Sequence, residues 1–314
     1  MSDEYLWNRT GPPDEEVVSL EKLLGPLAYK EPKQLRLVYR RLVYRRPVYR
    51  WLAVAAMLLG ALAFTAPYWR PAPLTDWRLA SGARLRSGQL LETGADTGTT
   101  LESQFTGHLD IDPQSRLRLV RSAGGEQRFE LQRGTLHALI WAPPGRFVVD
   151  TASAKTIDLG CRYTLQVAED GTGLLSVETG WVAFEWQRRE SFIPAGAVCI
   201  TRPGRGPGTP WFADAPEPLR RAVSAFDTGA DGASLAAALR AARPRDSLTV
   251  WHLMVRARGG QRAEAFERLA NLVSLPAQVT REAVLRGDPA ALDAAWNALN
   301  LGSTDWWREW KRKY

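Results

Sequence analysis

Between about residue 76 and residue 200, apolar and polar positions alternate in short runs separated by glycine turns. "SRLRLVR" places Leu117 and Leu119 on one face, "RFELQ" does the same with Phe129 and Leu131, and "RFVVDT" with Phe147 and Val149. "RYTLQVA" continues with Tyr163, Leu165 and Val167, and "GWVAFEW" with Val182, Phe184 and Trp186. A period of two predicts strands with one face turned inward, and the turn signals "SAGGEQ" and "AEDGTG" separate them. The expectation is an antiparallel all-β domain over 76–200, a sandwich or roll.

Beyond the Gly/Pro-rich "TRPGRGPGTPWF", read as part of a linker over 201–214, the period changes to that of a helix. "EPLRRAVSAFD", "SLAAALRAA", "LTVWHLMVRAR", "QRAEAFERLANLV", "REAVLRG" and "PAALDAAWNALNL" predict about five or six helices in hairpins over 215–314. Such a pack either caps the edge of the β domain or binds another protein. The closing "TDWWREWKRKY" sets Trp306, Trp307 and Trp310 beside Lys311, Arg312 and Lys313, for core packing or for a membrane or partner contact.

At the other end, residues 1–33 read as a short cytoplasmic helical tail. Pro12 and Pro13 suit a first helical turn, and Asp14, Glu15 and Glu16 complement its dipole. Val17, Leu20, Leu24 and Leu27 recur at helical spacing, with Leu23 beside them, until Gly25 and Pro26 interrupt the run. So short an amphipathic helix is marginal alone. It folds back on Tyr5, Leu6 and Trp7, lies on a membrane, or docks on a cytoplasmic partner through Trp7 and the Val17, Leu20, Leu24 and Leu27 stripe.

A different pattern fills 34–69. "RLVYRRLVYRRPVYR" is one pentad three times over, and five matches neither the helical period nor the strand period. Its content is charge: Arg36, Arg40, Arg41, Arg45, Arg46 and Arg50 precede an uncharged run from Trp51 to Trp69. At about 1.5 Å per residue that run extends roughly 28 Å, near the hydrocarbon thickness of a bilayer. Trp51, Tyr68 and Trp69 fit interfacial aromatic belts, and the basic block predicts a cytoplasmic amino terminus. The expected layout is a single transmembrane helix at 51–69 in a bacterial inner membrane, with a polybasic segment over 34–50 and residues 70–314 in the periplasm. The fold class expected is thus α+β and multi-domain.

The 314-residue chain has a net charge of +7, and much of that excess sits in the arginine block. Elsewhere acidic and basic residues are interspersed without the basic, aromatic-lined groove that a nucleic acid requires, so no nucleic-acid partner is expected. Catalytic signals are sparse. His108, His137 and His252 lie far apart with no ligand spacing, and Asp110 and Asp112 read as a polar turn before Pro113. "GRGPG" contains Pro207 and leads into "TPW" rather than a helix, which disqualifies it as a phosphate cradle. Neither an enzyme nor a cofactor is expected.

"LQRGTLHALI", "RFVVDTASAKTIDLGCRYTLQV", "LLSVETGWVAFEW" and "FIPAGAVC" occur in an order and spacing that resemble the FecR domain, found in membrane-bound sigma-factor regulators. The matching positions are Gly134, Val149 with Thr151, Gly160 to Tyr163, Gly180 with Val182, and Ala195 with Gly196, within roughly residues 82–200. Cys161 stands where that family has Thr, the tail is shorter than the usual anti-sigma region, and the helical end differs from the small transporter-contacting domain of the best-studied members. The resemblance implies a single-pass regulator that passes an envelope signal to a cytoplasmic sigma factor, with an unknown envelope protein or ligand as its outer partner. The other reading is an envelope-anchored binding or scaffold protein without a sigma-factor role. In an oxidising compartment Cys161 and Cys199, on strands of one domain, are the candidates for a disulfide.

Overall fold

The computed structural model describes residues 15–24, 77–187, 189–229 and 231–302. One helix, α1 (Glu15–Leu24), stands near the amino terminus. The strands are β1 (Trp77–Leu79), β2 (Arg84–Leu85), β3 (Leu90–Glu92), β4 (Thr99–Ser103), β5 (Gly107–Ile111), β6 (Arg116–Ala123), β7 (Glu126–Ile140) and β8 (Phe147–Asp150). They continue as β9 (Lys155–Asp158), β10 (Arg162–Val167), β11 (Gly173–Thr179), β12 (Trp181–Trp186), β13 (Arg189–Pro194), β14 (Ala197–Arg202), β15 (Gly206–Pro207) and β16 (Trp211–Phe212). Six helices follow: α2 (Glu217–Gly229), α3 (Gly232–Ala241), α4 (Ser247–Arg256), α5 (Gly259–Leu272), α6 (Arg281–Arg286) and α7 (Pro289–Asn297).

The strands join in the order β13-β12-β9-β8-β7-β10-β11-β14-β15, with β5 and β6 also pairing to β7. β7 belongs to two halves of this sheet. Its first part pairs with β6 and, in parallel, with β8; its second part pairs with β5 and β10. Along β7 the buried side chains are Gln127, Phe129 and Leu131, then Leu136, Ala138 and Ile140, so the inward face changes parity near Gly134. Gly134 has φ +95°, and a Cβ there would lie 2.4 Å from the Ser115 Cα, so a side chain is excluded where the strand bends.

The alternation read from the sequence corresponds to burial: Leu117, Leu119, Phe129, Leu131, Tyr163, Leu165, Val182 and Phe184 are all buried. Trp77, Phe129 and Phe147 form an aromatic cluster, with Trp77 edge-on to Phe129 at 5.2 Å.

Several expectations are corrected. The sheet is mixed rather than purely antiparallel, because β7 and β8 run in parallel. Residues 201–214, expected as a linker, contain β15 and β16, and Thr209, Trp211 and Phe212 are buried. Sheet and helices share a hydrophobic core, and 77–302 lies within one compact unit. The fold is therefore a mixed sheet of sixteen strands with carboxy-terminal helices among the described residues, in place of an α+β chain with a separate all-β domain and a transmembrane helix. No helix among the described residues is long and apolar enough to cross a membrane, so the inner-membrane, single-pass placement with a periplasmic 70–314 lacks the helix it needed. The apolar run 51–69 itself, with Trp51, Tyr68 and Trp69, lies outside the described residues, as do Arg36, Arg40, Arg41, Arg45, Arg46 and Arg50.

Candidate functional site

Of the partner-binding residues expected near the amino terminus, Val17, Leu20 and Leu24 are on α1, whereas Trp7 and Leu27 fall outside the described residues. Glu15 and Glu16 occupy the first turn of α1 and Lys22 the last, each matched to the nearer end of the dipole. Val17 is half-buried, but Leu20 is 57% exposed, Leu23 74% and Leu24 52%. The helix thus presents its leucines to solvent.

Cys161 and Cys199 are both free and buried, which corrects the expected disulfide. Cys161 directly precedes β10, Cys199 lies on β14, and β11 runs between those strands. Arg162 is opposite Thr179 of β11, and Cys199 is opposite Leu175. Cys161 lies one residue beyond Arg162, so two strand spacings and five residues of offset separate the α-carbons by about 10 Å across the sheet and about 17 Å along it, far beyond the roughly 4.4–6.8 Å of a disulfide. Each thiol has its own acceptor: Cys161 donates to the Asp158 carboxyl, and Cys199 donates to the Gly208 carbonyl at 3.2 Å. Burial pushes the Asp158 carboxyl up to about 7, and burial with the neighbouring Asp158 pushes the Cys161 thiol up. Burial likewise raises Cys199 to about 12. Neither cysteine has the depressed pKa of a reactive thiol.

The three histidines occupy unrelated places. His108 on β5 lies 2.8 Å from Asp110 and 3.5 Å from Glu102, and His137 on β7 touches Asp112 at 3.2 Å and Thr164 at 2.9 Å. Among the described residues no group of His, Cys, Asp and Glu has the arrangement of a metal site. His252 is buried on α4. Its Nε2 accepts the Phe192 N–H of β13 at 3.3 Å, which requires the proton on Nδ1, and that atom donates to the Leu248 carbonyl at 2.9 Å.

That contact belongs to a junction the sequence did not disclose. β13 ends the main path of the sheet, and α4 covers it. Arg256, at the last turn of α4, donates to Asp227 of α2 at 3.0 Å, to Thr209 at 2.7 Å, to Ser191 of β13 at 2.6 Å and to the Gly208 carbonyl at 2.8 Å. Arg256 and Asp227 are 9% and 5% exposed, so one buried ion pair ties two helices to the sheet. Beside it, Trp296 of α7 packs 4.8 Å from Trp251, 5.7 Å from Phe192 and 5.8 Å from Trp181.

On the outer side of this junction the half-buried Trp186 borders three surface depressions. One of about 340 Å³ is lined by Arg189, Arg205, Phe226 and Arg256, and another of about 430 Å³ by Arg189, Glu190, Arg256 and Arg258. The third, of about 320 Å³, adds Arg128, Asp150, Lys155 and Glu185. Trp186 is held there by Gly206: with φ +75° and its missing Cβ only 2.7 Å from the indole, this glycine lets the ring lie against the backbone. Nothing in the local pattern marks Arg189, Arg205, Arg256 and Arg258 as neighbours, because they come from β13, the β14–β15 turn, α4 and the turn after it.

No family model matches the chain, and no curated protein does. Among solved structures, two crystal structures of a provisionally assigned anti-sigma factor from Parabacteroides distasonis, at 1.65 and 2.50 Å resolution, are similar to this chain at 16% identity with a TM-score of 0.36. The alignment covers 45% of this chain and 65% of that one, so this chain spans just under two thirds of the length of the protein it matches.

Proposed function

We propose that this chain is a regulator acting through protein–protein contact, and that the exposed stripe of α1 is the surface a sigma factor covers. The observation that carries this reading is α1 itself: a ten-residue helix that presents Val18, Leu20, Leu23 and Leu24 to solvent. A helix of that length gains most of its stability from packing, and an amphipathic helix laid in a groove through residues three or four apart is a common recognition mode. The choice of a sigma factor rests on the FecR-like motifs of residues 82–200. Of their glycines, Gly160, Gly180 and Gly196 sit at positive φ between strands, and Gly134 at positive φ where β7 bends, the backbone conformation that favours glycine. The free, buried cysteines and the scattered histidines give no competing chemical reading.

Co-expression of the full chain with alternative sigma factors of its host, followed by affinity purification, tests the proposal. Wild-type chain should retain one such factor, and Leu20→Asp, which puts a charge in the exposed stripe, should lose it. Equal retention by wild type and Leu20→Asp would overturn the assignment of α1.

A further inference from the structure

The cleft around Trp186 has an unbalanced charge. Asp227 is already paired with Arg256, and Glu190 makes an interaction of its own. Arg189 donates to the Arg205 carbonyl, and Arg205 donates to the Thr228 carbonyl at the end of α2. Among the described residues neither arginine, nor Arg258, has a carboxylate within ion-pair distance. Three guanidinium groups therefore border two adjoining depressions, between the β12–β13 hairpin and the helices, with no carboxylate among the described residues paired to them.

We propose that this cleft docks an acidic peptide segment of a partner protein in extended form. Guanidinium forks match carboxylates in plane, and the half-buried Trp186 gives the chain between those carboxylates an apolar wall. The cations are distributed over depressions that share Trp186 rather than converging on one point, which suits alternate side chains on one face of a strand, about 6.6 Å apart, better than a single inorganic anion. A nucleic acid fits less well. Asp150, Glu185 and Glu190 interrupt the basic surface that a phosphate backbone needs to follow. The cleft lies on β13, α2, α4 and their turns, so its occupancy does not depend on the role of α1.

Fluorescence anisotropy of the full chain with a fluorescein-labelled peptide of about ten residues, alternating Glu and Ala, tests the assignment. The expected result is saturable binding that weakens as salt is added. Arg258→Glu and Arg189→Gln should each weaken it at least about tenfold, while Leu20→Asp should leave it unchanged. Arg258 is the N-cap residue of α5 with no side-chain capping bond, so an acidic replacement complements the helix dipole and the variant is expected to fold. A Lys/Ala peptide should not bind. The proposal is overturned by equal affinity in a natively melting Arg258→Glu chain, by equal binding of the Lys/Ala peptide, by displacement with inorganic phosphate at equal charge concentration, or by tighter binding of a single-stranded oligonucleotide.

Discussion

Asp158 and His252 are both buried, and their ionisation pulls stability in opposite directions. Burial raises the Asp158 carboxyl from 3.8 to about 7, where the Cys161 thiol, the Gly160 N–H and the Tyr163 ring face it. The folded state thus keeps a proton that the unfolded chain has released. The stability this gives is complete below about pH 4 and lost as pH rises through 7. Burial, followed by the charge of Arg256, lowers His252 from 6.5 to about 3. Its contribution is present above about pH 6.5 and lost as pH falls towards 3. Shifts of this size correspond to about 4 kcal/mol each, so the two slopes largely offset between about pH 4 and 6.5. Substitution unmasks them separately. Asp158→Asn should match wild type near pH 4 and gain up to about 4 kcal/mol on it by about pH 7.5, whereas His252→Gln should gain on wild type as pH falls. Urea denaturation of the three proteins at both pH values checks this, and differences from wild type that do not change with pH would refute it.

At the scale of elements, the end of the sheet is the feature that organises the carboxy-terminal half. An exposed strand edge offers unpaired backbone groups to other chains. Here α4 covers β13: His252 accepts the Phe192 N–H, and Arg256 donates to the Ser191 hydroxyl oxygen. Arg256 is held in turn by Asp227, which also accepts from the Thr209 N–H at 2.7 Å and from the Thr209 hydroxyl at 2.8 Å. Breaking a buried pair by removing one partner leaves the other charge unmatched. Asp227→Ala is therefore expected to cost about 3–5 kcal/mol by chemical denaturation, with a coupling to Arg256→Met above about 1 kcal/mol in a double-mutant cycle. Additive effects would mean that the pair does not join α2 and α4 to the sheet.

Over the whole region from 77 to 302, sheet and helices should unfold together, because Trp296 of α7 contacts Trp181 of β12, Phe192 of β13 and Trp251 of α4 at once. Near- and far-ultraviolet circular dichroism should give one shared thermal transition, and Trp296→Ala should remove hydrogen-exchange protection from β12 and β13 as well as from the helices. Separate transitions would make the helices an independent module. Much of this architecture was legible locally. The period of two at Leu117, Leu119, Phe129 and Leu131, and the helical period in "LTVWHLMVRAR", are set by which side chains must leave water, and that information lies along the chain. "TRPGRGPGTPWF" misled because glycine and proline mark turns whether those turns are exposed or, as here, packed beneath helices. The cysteines misled because membership of one sheet does not establish proximity: the interposed β11 and the register decide the distance. The cleft at Trp186 was illegible because Arg189, Arg205 and the Arg256–Arg258 pair come from three separate stretches of the chain and meet only when α4 closes over β13. By itself the sequence determined most of the strands and helices, 201–214 apart, and the face that most of them bury, since those follow from local periodicity. Tertiary structure alone decided which charges are paired, which thiols are isolated and where guanidinium groups gather without a carboxylate partner among the described residues, because each of these depends on strand order and helix packing between residues distant in sequence.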